Sequence, residues 1–207
     1  MIRYQGGSLE AFQGLYAQLA PGVRRYLSHL TAGSENSDDL LQETFLQMHR
    51  SRAAFNPTYA VRPWVFGLAR NVFLMNRRSA RRWAKVHESR ADLPELPVLP
   101  EAARLGSQDE VRRCIANLTS DQAEPLLLHH EWGFSFEEIA GILGITAAAA
   151  RARASRGMTE LRLALKDFQS STGADGCRQP AIGTPQIFGR RANPSAVLRD
   201  FLRRPRT

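Results

Sequence analysis

The stretch that decides the fold is residues 134–162, FSFEEIAGILGITAAAARARASRGMTELR. Ser135-Phe-Glu-Glu138 fits the capping box, in which the serine accepts an orphan N–H and the glutamate reaches back to the serine N–H. Phe136, Ile139, Ala140, Leu143 and Ile145 follow helical spacing, predict a helix over 136–143 and supply a small core for a second helix to rest on. Gly144-Ile145-Thr146 then makes a tight turn, for which a residue without a Cβ is suited. Thr146 is an N-cap for a longer helix over 147–166. A short helix, a glycine turn and a longer helix form the helix-turn-helix pattern. Arg151, Arg153 and Arg156 project from the second helix near its positive end, where phosphate is favoured. The bland alternative is a helical hairpin with a solvated arginine face.

Upstream, Ser107-Gln-Asp-Glu110 and Thr119-Ser-Asp-Gln122 repeat the capping-box pattern and predict helices over 108–117 and 120–131. Residues 107–167 thus form one small helical domain. Pro94, Pro97 and Pro100 mark 88–106 as an extended connector. Before it, residues 8–87 read as a second helical domain. Ser8 caps a helix carrying Leu9, Phe12, Leu15, Tyr16 and Leu19; Pro21 is expected to interrupt it, leaving 23–30 as a second piece. Ser37 is expected to cap a helix with Leu40, Leu41, Thr44, Phe45 and Met48 in one stripe. Pro63 suits the first turn of the next helix, through Trp64, Leu68, Val72 and Leu74. Residues 168–207 turn to Ser, Gly, Pro and Arg and are expected to be a largely disordered basic tail, with a short helix over 195–204. The expected fold class is all-α: two small helical domains and a linker.

Length and composition fit this layout. The chain has 207 residues, 43% of them hydrophobic and 23% charged, which suits packed domains rather than a wholly disordered chain. Its net charge of +8 favours nucleic acid or an anionic membrane as partner. No apolar run approaches the ~20 residues of a bilayer span, and MIRYQGGSLE lacks an apolar export core, so a cytoplasmic address without direct membrane insertion is expected. Cys114 and Cys177 are too far apart for a CxxC site and too few for a disulfide scaffold.

The charge is also sorted. From Glu35 to Glu43 there are four acids and no base; from Arg62 to His87 there are seven bases and no acid. Asp38, Asp39, Gln42 and Glu43 lie opposite the apolar stripe, as a solvated face or a protein-docking surface. Arg62, Arg70, Arg77, Arg78, Arg81, Arg82 and Lys85 are interleaved with Trp64, Phe66, Phe73 and Trp83. Single-stranded nucleic acid needs ring faces for stacking and cations along its backbone, although the same rings could be core. The five histidines show no metal-ligand spacing, and phosphate-binding glycine loops and nucleophile elbows are missing. No catalytic residue, metal or cofactor is expected, and the chain does not read as an enzyme.

In this order and spacing, the three segments resemble the extracytoplasmic-function group of bacterial sigma factors, in the sigma-70 family. SDDLLQETFLQMH resembles the family's region 2.2, which docks on the clamp helices of the RNA polymerase β′ subunit. FNPTYAVRPWVFGLARN with RRSARR resembles regions 2.3 and 2.4, which melt and read the minus-ten element; EWGFSFEEIAGILGIT with RARASRGMTELR resembles region 4, which reads the minus-thirty-five element. The resemblance implies polymerase contacts from Asp38, Asp39, Gln42, Glu43 and Phe45. It implies promoter-DNA contacts from Trp64, Arg70 and Asn71, from Asn56 in a base-capturing loop over 55–61, and from Arg62, Arg77, Arg78, Arg81 and Arg82. In the helix-turn-helix it implies Thr146, Arg151, Arg153, Ser155 and Arg156. It further implies control by an anti-sigma factor. The chain departs from the family pattern at Ala148-Ala149-Ala150, where Gly-Thr-Val is usual, and at Met75, where an Asp is common. Two other classes share parts of the pattern. A dimeric helix-turn-helix repressor would have no use for the acidic helix; an RNA-binding or scaffold protein would use the arginine tail.

Overall fold

The computed structural model describes residues 1–31, 36–86, 114–115 and 117–172, and every regular element among them is helical. In chain order these are α1 (Ile2–Gln5), α2 (Leu9–Leu30), α3 (Ser37–Ser51), a 3₁₀ turn (Arg52–Ala54), α4 (Val61–Val86), α5 (Ser120–His130), α6 (Phe136–Leu143) and α7 (Ala147–Thr172). The helix expected over 108–117 falls mostly outside the described residues. The connector over 88–106 and the tail beyond 172 lie wholly outside them. The chain divides into two compact units, Met1–Glu101 with Phe134–Ala150, and Ala102–Gly133 with Arg151–Thr207.

In the first unit α2, α3 and α4 bury one stripe each against the others. Val23, Tyr26 and Leu27 meet Leu41, Phe45 and Met48 of α3 and Val65, Phe66 and Ala69 of α4 in a core closed to solvent. Each such large apolar side chain stabilises the fold by about 1.5–3 kcal/mol. The stripe expected on α3 is the buried one, and Thr44 within it donates its hydroxyl to the Leu40 carbonyl at 2.7 Å, so no polar group is stranded. Ser8 caps α2 as expected, its Oγ accepting the Ala11 N–H at 3.2 Å.

Two expectations are corrected here. Pro21 does not interrupt α2, which runs unbroken from Leu9 to Leu30. A mid-helix proline costs about 3 kcal/mol, but Leu19, Ala20, Val23, Tyr26, Leu27 and Leu30 are buried on both sides of it, and that packing outweighs the lost hydrogen bond. Ser37 is the first helical residue of α3 rather than its cap; Asn36 takes the cap position, without a side-chain bond.

The short helix of the helix-turn-helix also packs within this unit. Ser135 and Glu138 form the reciprocal box, at 3.2 Å and 2.9 Å. Gly144 closes α6 in the left-handed region, φ 68°, its N–H donating to the Ala140 carbonyl at 2.9 Å. The buried stripe of α6 is Ile139, Ile142 and Leu143, joined by Phe134, while Phe136, Ala140 and Ile145 are only half-buried. The stripe is turned from the expected one because α6 lies on α4. The Phe134 ring meets Phe66 edge-on at 5.0 Å, and a Cβ on Gly67 would stand 3.9 Å from the Ile142 Cα.

In the second unit α5 packs on α7. Gln122 Oε1 accepts the Thr119 N–H at 3.3 Å and its hydroxyl at 2.9 Å, while Nε2 donates to Glu160 at 2.7 Å. The helices approach so closely that a Cβ on Gly157 would lie 3.0 Å from the Gln122 carbonyl oxygen. Buried Leu126 and Leu128 of α5, and Ala154 and Leu161 of α7, complete this core. α7 continues six residues past its expected end, since no breaker precedes Gly173.

Candidate functional site

The acidic face stands on α3. Asp39 and Gln42 are exposed, Glu43 is half-buried, and Asp38 pairs with Arg24 of α2 at 3.1 Å on the surface. Glu43 holds Arg50 at 3.4 Å. Exposed pairs of this kind are worth at most about 1 kcal/mol and yield readily to a competing cation. Asp39, Leu40, Glu43 and Gln47 form one wall of an open groove, and Leu68, Asn71, Val72, Met75 and Arg78 of α4 form the other. Phe45, to which the resemblance gave a polymerase contact, is core, as its place in the apolar stripe predicted, with its ring 4.6 Å from Tyr16. The exposed apolar residue of this helix is its neighbour Leu46.

The arginines of α4 are spread over four surroundings. Arg62 lays its guanidinium over the Phe134 ring at 4.6 Å and Phe66 at 5.9 Å; burial lowers its pKa, partly countered by Glu138. Arg70 donates to the Leu143 carbonyl at 3.4 Å. These two, implied by the resemblance to face DNA, meet the 134–143 segment, Arg62 while still exposed and Arg70 half-buried. Asn71 and Arg78 lie on the groove. Arg77 sits over Phe73 at 5.7 Å, and burial together with nearby Arg81 lowers its pKa. Arg81 and Arg82 are exposed, and so is Trp83, at 69%. Phe66 and Phe73 are core.

The loop between the 3₁₀ turn and α4 is tightly braced. Trp64 is half-buried, 4.7 Å from the buried Phe55 ring. Asn56 Oδ1 accepts the Thr58 N–H at 3.0 Å and its hydroxyl at 2.9 Å, which leaves only the amide nitrogen of that side chain to read a base. Sequence reasoning missed Tyr59, which stands 71% exposed in this loop. It also missed Gln5, whose contacts lie some 50 residues away in the chain. Tyr59 was visible as an aromatic in a Pro-containing loop; nothing local marks Gln5.

On α7, the Thr146 hydroxyl accepts the Ala149 N–H at 3.2 Å, so it works as a cap. Arg151, Ser155 and Arg156 are exposed, while Arg153 is half-buried and pairs with Asp121 at 3.4 Å. Among the described residues no group of three or more His, Cys, Asp or Glu is placed to hold a metal ion, and no helix is long and apolar enough to cross a membrane.

The family model for sigma-70 region 2 matches residues 15–83, which is α2 to α4, and that for sigma-70 region 4 matches 108–161, which takes in α5, α6 and most of α7. The chain is 33% identical to the RNA polymerase sigma factor CarQ of Myxococcus xanthus over 173 residues, covering 82% of this chain and 97% of that protein. This chain belongs to the extracytoplasmic-function sigma factors of the sigma-70 family. It is also 33% identical to the sigma factor SigC of Mycobacterium tuberculosis, with 73% and 80% covered. The fold matches the sigma factor RpoE from Bartonella quintana, solved with the anti-sigma factor NepR, at a TM-score of 0.65 and 26% identity, covering 76% of this chain and 98% of that one. The acidic α3, the loop and the basic α4 are therefore region 2, and the helix-turn-helix is region 4.

Proposed function

We propose that this chain binds core RNA polymerase, directs it to particular promoters and helps open the minus-ten region. It acts in the cytoplasm as a regulatory factor rather than an enzyme. The functional division is a region 2 domain over 8–87, a tether over 88–106, a region 4 domain over 107–167 and a basic tail over 168–207. Asp39, Gln42 and Glu43 would meet the clamp helices of β′, with Asp38 released from Arg24, while Phe45 supports that surface from the core. Arg78, Arg81 and Arg82 would hold promoter phosphates, and Arg151, Ser155 and Arg156 would meet the minus-thirty-five element. Arg62 would reach DNA from its exposed place beside Phe134, and Arg70 by giving up its bond to the Leu143 carbonyl. An anti-sigma factor covering these surfaces would hold the chain inactive.

The observation that carries the reading is the groove with acidic α3 on one wall and the acid-free, cation-rich α4 on the other. An acidic wall beside cations suits a basic protein docking next to nucleic acid, and a repressor needs only the cations. The test is co-purification with core polymerase and run-off transcription, wild type beside Asp39→Ala/Glu43→Arg. Polymerase binding and promoter-dependent transcripts in the wild type, lost in the variant, are expected. Tight, salt-sensitive duplex binding without polymerase binding would overturn the reading.

A further inference from the structure

The amide of Gln5 makes two hydrogen bonds that tie the amino terminus to the far side of region 2. Its Nε2 donates to the carbonyl of Arg52 at 2.8 Å and to that of Phe55 at 2.8 Å. The two acceptors bracket the 3₁₀ turn, Arg52 opening it and Phe55 following its end; the Arg52 carbonyl also accepts the Phe55 N–H at 3.3 Å, so Gln5 clamps from outside a turn that the backbone closes. Neighbouring Tyr4 fixes α1 itself: it is buried, its ring lies 5.3 Å from Phe12, and its hydroxyl bonds His49 Nδ1 at 2.8 Å. None of these α1 residues falls within the segment matched to region 2, which starts at residue 15.

From that anchor the loop geometry follows residue by residue. Phe55 is held from below by Gln5 and from the side by the Trp64 ring. Asn56 braces Thr58 through its side chain and accepts the Tyr59 N–H on its carbonyl at 3.1 Å. The outcome is a hydrogen-bonded turn that presents the Tyr59 ring to solvent two residues before α4. An exposed ring on a pre-ordered loop loses little entropy on stacking and accepts any base face.

We infer that Gln5 is a positioning residue for promoter reading: its two hydrogen bonds set the 55–60 loop so that Tyr59 stacks on an unpaired promoter base. The inference rests on the sigma-factor reading above and adds to it a residue outside the matched region and the ring it serves. Gln5→Glu keeps the shape and removes both donors; Gln5→Lys keeps donors; Tyr59→Ala and Tyr59→Phe remove or retain the ring at an exposed site where folding is indifferent to the change.

The experiment uses the full chain assembled with core polymerase and a labelled single-stranded oligonucleotide, read as binding affinity. Wild-type holoenzyme should bind it, and Tyr59→Ala and Gln5→Glu should each weaken binding about tenfold, the scale of one lost stacking contact. Core polymerase affinity should be unchanged, and Tyr59→Phe and Gln5→Lys should bind the strand as the wild type does. Unchanged strand affinity in Gln5→Glu or in Tyr59→Ala overturns the inference while the sigma-factor reading stands. Failure of the wild type to bind polymerase overturns both. Should Gln5→Glu lower the melting temperature, wild-type strand affinity in Tyr59→Ala still overturns it.

Discussion

The two ends of α4 carry the same cations in opposite surroundings. In its first half Arg62 lies over Phe134, just ahead of α6, and Arg70 bonds the Leu143 carbonyl that ends it. In its second half Arg81 and Arg82 are exposed, and Trp83 is 69% exposed. Composition cannot separate the two, since the whole segment lacks acids. The difference comes from what packs alongside, and it divides α4 into an end whose arginines contribute to stability and an end whose arginines remain available to a ligand.

The largest effect that would break this contrast is expected at Phe66, whose ring meets both Tyr26 at 5.2 Å and Phe134 at 5.0 Å. Phe66→Ala should lower unfolding free energy in urea by about 3–5 kcal/mol; Trp83→Ala should stay within about 0.5 kcal/mol. Equal losses at both sites would abolish the distinction. Gly67→Leu should come next, at about 1–3 kcal/mol, because a large side chain would push α6 away from α4. Arg62→Ala should destabilise by about 1 kcal/mol through its lost ring contacts. Arg82→Ala should leave stability alone and reduce by about one the slope of log affinity against log salt for duplex DNA. The smallest effect lies outside α4 and serves as its control. Burial raises the Tyr4 phenol pKa, the Arg52 cation partly opposing it. The neutral phenol is thus favoured in the fold: its contribution is complete below the ordinary value of 10.0 and is lost as pH rises through the folded value. Tyr4→Phe should flatten that alkaline decline in melting temperature.

Local chemistry was legible and long-range contact was not. The boxes at Thr119 and Ser135, the glycine at 144 and the apolar stripe of α3 each speak within one or two turns of chain, and the helices they announce are present. The continuity of α2 through Pro21 depends on what both halves bury, which no local rule contains. Phe45 shows the reverse: its spacing put it in the apolar stripe of α3, where it is buried against Tyr16, and only the family resemblance assigned it to docking. Arg62 was read from its neighbours in sequence, while its ring partner Phe134 stands 72 positions further on.

α4 is also a ruler. At ~1.5 Å per residue, the 20 positions from Arg62 to Arg82 span about 30 Å, close to the length of nine base steps at ~3.4 Å each along one strand. The loop at one end and the exposed arginines at the other are therefore locked at one separation and one rotation. Inserting a single residue between Asn71 and Arg78 would add about 1.5 Å and turn the far arginines by about 100° relative to the loop. Of the two errors, the angle would matter far more than the length.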